Sequence, residues 1–214
     1  LAILSGLTLG AGYVLGGFFG TDFWAQLLFV GLVGGAGIGL GYVVPIAVGV
    51  RWFPDKKGMV AGLAVAGFGF GATIWVQLAG SWFGGLLNTT SVLGLPGVQS
   101  VFVIYGIAFT VLVLAGSVVM VNPPEGYTPA GWTPSQSGPA GHAGTINFTS
   151  RDMLRTPQFF ALWSVFTASA FGGLMVIYCI KLFGIDALQY HGVADAGAVA
   201  GTAMAWYAIF NGVG

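Results

Sequence analysis

Long apolar runs separated by short polar knots organise the whole chain. Five stretches, roughly 1–19, 24–50, 59–87, 100–121 and 157–180, stay apolar for about the 20 residues that a helix needs to cross a bilayer's hydrocarbon core. A sixth begins near 193 and runs to the last residue. In lipid a spanning segment must satisfy its own backbone hydrogen bonds, so each run reads as a helix. The runs 24–50 and 59–87 exceed the required length, and tilt or projection beyond the bilayer is expected of them. The knots between the runs are "GTDF", "RWFPDKKG", "NTTSVLGLPGVQS", the long stretch 122–156 and "FGIDALQYHGVAD".

Composition strengthens this reading. Apolar residues make up 56% of the chain, charged residues 6%, and the mean hydropathy is +0.89. A soluble domain carries about a quarter charged residues. So apolar a chain cannot cover a folded surface with polar groups, and its solvent is lipid. The expected fold class is an all-α membrane protein with about six transmembrane helices. Six basic residues balance six acidic ones, which argues against a nucleic-acid partner, since that needs a basic field. One cysteine, Cys179, leaves no internal disulfide framework and no cysteine-based zinc site, and is expected as a small core residue. Leu1 is not a start residue, and Gly214 falls inside an apolar run, so an internal piece of a longer protein is expected.

The few charges orient the chain. Arg51, Lys56, Lys57, Arg151 and Arg155 lie in the second and fourth connections, the first and third carry no Lys or Arg, and the fifth has only Lys181 at its edge. Alternate connections share a side, so the positive-inside rule predicts that "RWFPDKKG" and 122–156 are cytoplasmic. The latter, with "NPPEGYTPAGWTPSQSGPAGHAGT", is rich in Pro, Gly, Ser and Thr, and is expected to link two membrane bundles. His142 within it has no second His or Cys nearby and reads as a solvated residue. Ser150 is the expected cap of a short helix, and Thr156 with Pro157 forms an N-cap and first-turn signal. Asn88-Thr89-Thr90 and Asn147-Phe148-Thr149 match the glycosylation pattern, but the second is on the predicted cytoplasmic side, so the pattern carries little weight.

Inside the spans glycine stands out. "GGAGIGLGYVVP" holds Gly35, Gly37, Gly39 and Gly41, and "GFGFG" holds Gly67, Gly69 and Gly71. The pairs Gly35/Gly39, Gly37/Gly41 and Gly67/Gly71 have the spacing that lets membrane helices approach closely. A phosphate-cradling loop does not fit, because neither run matches G-x-G-x-x-G after a strand. Glycine on two faces of one helix predicts two neighbours, or helices that slide, and Pro45 is expected to kink that helix. No Asp, Glu, Arg or His lies well inside a full span, so a self-contained proton relay is not expected. Tyr42, Thr73, Gln77, Tyr105, Ser164, Thr167 and Tyr178 are the polar candidates within spans. Of these, Tyr42, together with Phe68, sits among glycines that clear space beside an aromatic ring. Lys181, at a span end, is expected to snorkel to the interface.

"GAGIGLGYVVPIAVGVRWFPDKKGMVAGLAVAGFGFGA" resembles the fourth and fifth helices, with their loop, of the oxalate/formate antiporter family within the major facilitator superfamily. "MLRTPQFFALW" with "FGGLM" resembles the start of that family's seventh helix, and "FNGVG" the middle of its eighth. The resemblance implies helices three to eight of twelve. By it, 1–121 holds the last four helices of the N-terminal six-helix bundle and 122–156 the cytoplasmic linker. Residues 157–214 then hold the first two helices of the C-terminal bundle, the second incomplete. It implies two bundles around a midplane site, worked by alternating access. It also implies a small carboxylate held between aromatic side chains, with an Arg on helix eight just past Gly214 and a Lys on helix eleven as countercharges. Tyr42 and Phe68 match substrate-wall positions. Phe68 lacks the hydroxyl that oxalate-type members can carry there, so formate, pyruvate or lactate stands beside oxalate as substrate.

The expected function is therefore secondary transport of small organic anions by carboxylate exchange, with proton-coupled monocarboxylate symport as the alternative. A carboxylate sensor would need a signalling domain, and 122–156 has no room for one. A membrane enzyme would need paired carboxylates, a His cluster or an activated Ser at depth. The expected partners are a small carboxylate and the lipid bilayer of a bacterial-type inner membrane, with the carrier a monomer and no cofactor or metal. Arg51, Asp55, Lys56 and Lys57 are expected to form a conformational cytoplasmic loop. In it Pro54 ends the preceding helix or begins the next turn, Asp55 caps the next helix, and Arg51 and Asp55 pair with the cytoplasmic ends of neighbouring helices in one access state.

Overall fold

The computed structural model of the chain describes residues 1–80, 82–129 and 149–213, without the side chains at 68, 177 and 211–213. Six long helices follow the apolar runs: α1 (Ala2–Phe19), α2 (Phe23–Trp52), α3 (Lys57–Gly80), α4 (Gly97–Val119), α5 (Pro157–Tyr190) and α6 (Ala196–Val213). The first five are long and apolar enough to cross a membrane, and Ala196–Phe210 is a shorter apolar helix. Among the described residues there is no strand. Contacts divide the chain into two compact units, Leu1–Trp132 with Ala205–Gly214, and Thr133–Met204.

Local chemistry sets most helix ends. Asp22 starts α2, its Oδ1 accepting from the backbone N–H groups of Trp24 at 2.9 Å and Ala25 at 3.0 Å. The helix then widens into a π-helical stretch over Leu27–Gly34 before returning to α geometry through Pro45. It ends at Trp52, two residues before Pro54, as the run into a proline favours.

Several ends differ from expectation. The run 59–87 does not form one helix: α3 stops at Gly80, and Gly84 and Gly85 take φ of 84° and 75°, a left-handed backbone that no helix continues through. Phe83 shares that conformation at φ 57° and is almost fully exposed. Conversely, α5 runs on to Tyr190, because "GIDALQY" is helix-compatible and the chain reverses only at Gly192, where φ is 73°. Lys181 therefore lies within a helix that continues past it. Thr149, not Ser150, caps the short helix Ser150–Met153, its hydroxyl bonding Asp152. Thr156 does stand before Pro157, but its hydroxyl donates backward to the Met153 carbonyl at 2.7 Å. Asp55 does not cap α3. The Lys56 carbonyl accepts the first helical bond, from Val60 N–H at 3.0 Å, so the cap position falls one residue later.

The tightest packing in the first unit is α1 against α4 and α2. Gly6, Gly10 and Gly17 form one face of α1, and a Cβ built at Gly10 would lie 2.8 Å from the Gly106 carbonyl oxygen of α4. Gly12 and Gly16 form another, where a Cβ at Gly12 would lie 2.6 Å from the Phe29 carbonyl oxygen in the π-helical stretch. Gly37 and Gly41 complete the contact from α2, against Leu9 and Ser5. Without side chains the backbones meet directly, which is how membrane helices gain dispersion contacts when lipid supplies no hydrophobic drive. Gly35 and Gly39, expected to serve a second neighbour, have nothing within 4 Å. Residues two apart point about 200° apart around a helix, so the pair turned away from α1 faces out. Gly67 and Gly71 of α3 are likewise open.

Candidate functional site

Tyr42 and Phe68 lie at matching depths. Tyr42 is ten residues before the end of α2 at Trp52, and Phe68 eleven after the start of α3 at Lys57. At about 1.5 Å of rise per residue, each sits about 15–17 Å from the helix end, about half of a hydrocarbon core about 30 Å thick. The Phe68 side chain lies outside the described residues. Tyr42 lines a cavity of about 300 Å³ with Ser5 and Leu9 of α1, Pro45 of its own helix, Ala64 of α3 and Ser117 of α4.

Among the described residues, none that lines this cavity is charged. Its two serine hydroxyls are already committed as donors. Ser5 Oγ donates to the Gly37 carbonyl at 2.8 Å, and Ser117 Oγ to the Leu114 carbonyl at 2.7 Å. Both therefore face the cavity as acceptors, which do not attract an anion. What remains is an apolar wall with one phenol, able to shape a small ligand but not to neutralise it. A carboxylate at this depth needs a cation from elsewhere in the protein.

The other polar candidates serve the helices. Tyr105 donates to the Trp75 carbonyl, tying α4 to α3, and its ring packs edge-on to Trp75 at 4.9 Å. Phe109 continues this aromatic stack to Tyr13 of α1, 5.3 Å away. Thr73 donates to the Gly69 carbonyl at 3.2 Å in its own helix. Ser164, Thr167 and Tyr178 are exposed on α5. Cys179 is also free and exposed, not in a core, because the apolar stretch of α5 buries none of its residues in this chain. His142 and Asn147 lie outside the described residues. Among the described residues no group of His, Cys, Asp and Glu could hold a metal.

The charged octet is only partly assembled. Arg51 Nη1 donates to Asn122 Oδ1 at 2.9 Å, beyond the end of α4. Next to it, Trp52 Nε1 donates to the Val121 carbonyl at 2.7 Å, and its ring lies 5.0 Å from that of Tyr127. Among the described residues, the side chains of Asp55, Lys56 and Lys57 make no hydrogen bond. Arg51 thus reaches a residue just past the end of α4, whereas Asp55 makes no such contact among the described residues. Trp52 was not singled out by sequence, since a tryptophan at a span end is ordinary interface chemistry.

Apolar helices, five of them long enough to cross a membrane and some interlocked by glycine, define a polytopic helical membrane protein. The family model of the Major Facilitator Superfamily matches residues 1–214, and the chain belongs to that superfamily. It is 31% identical over 176 residues to the "Oxalate:formate antiporter" of Oxalobacter formigenes, across 80% of this chain and 37% of that protein. It is 25% identical over 198 residues to the "Uncharacterized MFS-type transporter YhjX" of Escherichia coli (strain K12), across 90% of this chain and 44% of the relative. A shorter match, 48% identical over 48 residues, joins it to "Apicoplast pyruvate carrier 1" of Toxoplasma gondii, across 22% of this chain and 9% of that one. The chain spans less than half the length of each of these relatives.

Proposed function

We propose that this chain is part of a secondary carrier that exchanges small carboxylates of the oxalate/formate kind by alternating access. The observation that carries the reading is its 31% identity, over 80% of its length, to a protein named as an oxalate:formate antiporter. Tyr42 gives the cavity an aromatic wall, and Phe68 falls at a matching depth along α3. On this proposal the countercharges come from helices outside this chain. In this reading 1–121 and 157–214 belong to two bundles joined by 122–156. The 51–58 loop and that linker face the cytoplasm, and the carrier works as a monomer in an inner or plasma membrane, without catalytic chemistry.

A second reading, proton-coupled monocarboxylate symport, is favoured by Phe68 and by the short match to a protein named as a pyruvate carrier. Counterflow of labelled oxalate or formate into liposomes containing the full-length protein separates the two. Exchange that outpaces flux driven by a pH gradient supports antiport, and the reverse supports symport. Removing the phenol with Tyr42→Phe is expected to weaken half-saturation about fivefold, the worth of about one hydrogen bond. An unchanged half-saturation removes Tyr42 from the site.

A further inference from the structure

The stretch after α4 does not leave the bundle freely. The chain turns at Met120, and Val121 N–H donates to the Val119 carbonyl at 2.9 Å, carrying the backbone toward the end of α2. Asn122 is followed by Pro123 and Pro124, whose rings hold φ and stiffen the path. A reverse turn then closes: Tyr127 N–H donates to the Pro124 carbonyl at 3.1 Å, with Gly126 at φ 80° in its third position. That is the backbone sign a type II turn asks for and glycine accepts without strain. The turn returns the Tyr127 ring to Trp52.

We propose that Arg51 and Trp52 strap residues 121–127 to the end of α2, so that this segment moves with α2 as one body. Three contacts meet there from residues about 70 positions apart: Arg51 to Asn122, the Trp52 indole N–H to the Val121 carbonyl, and ring to ring between Trp52 and Tyr127. Any one of them, alone at a half-exposed surface, would contribute little. Together they close on a segment already stiffened by two prolines and a turn, so little entropy remains to be lost in holding it. The octet's charge then has a structural use besides orientation, since Arg51 reaches back across the helix end to Asn122. If the carrier reading holds, residues 121–127 begin the connection between the bundles, and the strap passes motion of α2 directly into it.

Hydrogen–deuterium exchange on the full-length protein in detergent tests the strap independently of transport. Trp52→Ala is expected to speed exchange across 120–128 about tenfold, the effect of losing an indole hydrogen bond and its ring contact. Arg51→Gln and Trp52→Phe should give smaller increases, with α1 and α4 unchanged in all three. Unchanged exchange across 120–128 overturns the strap. If Trp52→Ala also loosens α1 and α4, the bundle itself has opened. Asn122→Ala and Tyr127→Leu, which lie outside the helices, then decide: acceleration confined to 120–128 supports the strap, and none overturns it. In liposomes, Trp52→Ala should slow saturated counterflow severalfold with half-saturation unchanged. A wild-type protein without counterflow would remove the carrier reading and leave the exchange result standing.

Discussion

In α1, a Cβ at Gly17 would stand 2.8 Å from the Gln99 carbonyl oxygen of α4, whereas Gly67 and Gly71 of α3 and Gly172 and Gly173 of α5 have nothing within 4 Å. Both regions are apolar, glycine-rich helices of similar hydropathy, yet one set of glycines is consumed in packing and the other is open. The difference lies in what stands opposite. Gly10 meets Gly106, so two notches coincide and the backbones close, while α3 and α5 present theirs to surroundings this chain does not supply. Interlocked glycines of the first kind hold helices together as one body, whereas open glycines of the second kind leave a helix face without a fixed partner among the described residues.

That contrast can be broken by substitution. The largest effect is expected from Gly10→Val, whose side chain has no room against Thr110 and the Gly106 backbone. About 3 kcal/mol of destabilisation is expected from overpacking, read as a fall in the thermal unfolding midpoint of the purified full-length protein. A midpoint within error of wild type would mean α1 and α4 are not in contact. Tyr105→Phe comes next. It removes the only hydroxyl bridging α4 to the Trp75 carbonyl among the described residues, at about 1 kcal/mol, and the same midpoint reports it. Ser5→Ala deletes the buried hydrogen bond to Gly37, for which about 0.6 kcal/mol is typical inside membranes. Stabilisation on this change would show that the serine strains α2 instead of anchoring it. The sign reverses for Gly172→Ala, which meets open space and should stabilise by up to about 1 kcal/mol, read as a small rise in the midpoint. A large loss there would place an unseen neighbour against α5.

Much of the helix plan was legible beforehand because bilayer thickness acts on hydropathy alone. Span length and the flanking polar knots follow from it, and all six predicted starts fall within three residues of the observed helices. The misses have local causes. The end of α3 depended on Gly84 and Gly85 taking positive φ, and glycine permits that conformation without requiring it. The continuation of α5 through Asp186 was hidden because a polar residue ends a hydropathy run without ending a helix. The glycine faces of α1 had the same four-residue spacing as those of α2 and were readable in principle, yet spacing cannot say which notch finds a partner. Tyr42 was legible as an aromatic among glycines, but its cavity was not, because Ser5 and Ser117 come from helices far away in sequence.

Composition and charge order were enough to determine a multi-spanning helical protein with nearly all its basic residues on two alternate connections. Those properties depend on each residue's own transfer energy and add along the chain. Only the tertiary structure decided which glycines interlock, that the cavity's serine hydroxyls are spent on helix carbonyls, and that Arg51 and Trp52 bond the segment after α4. Such facts depend on pairs of residues as much as 100 positions apart, and the energy of a pair exists only once folding has brought its members together.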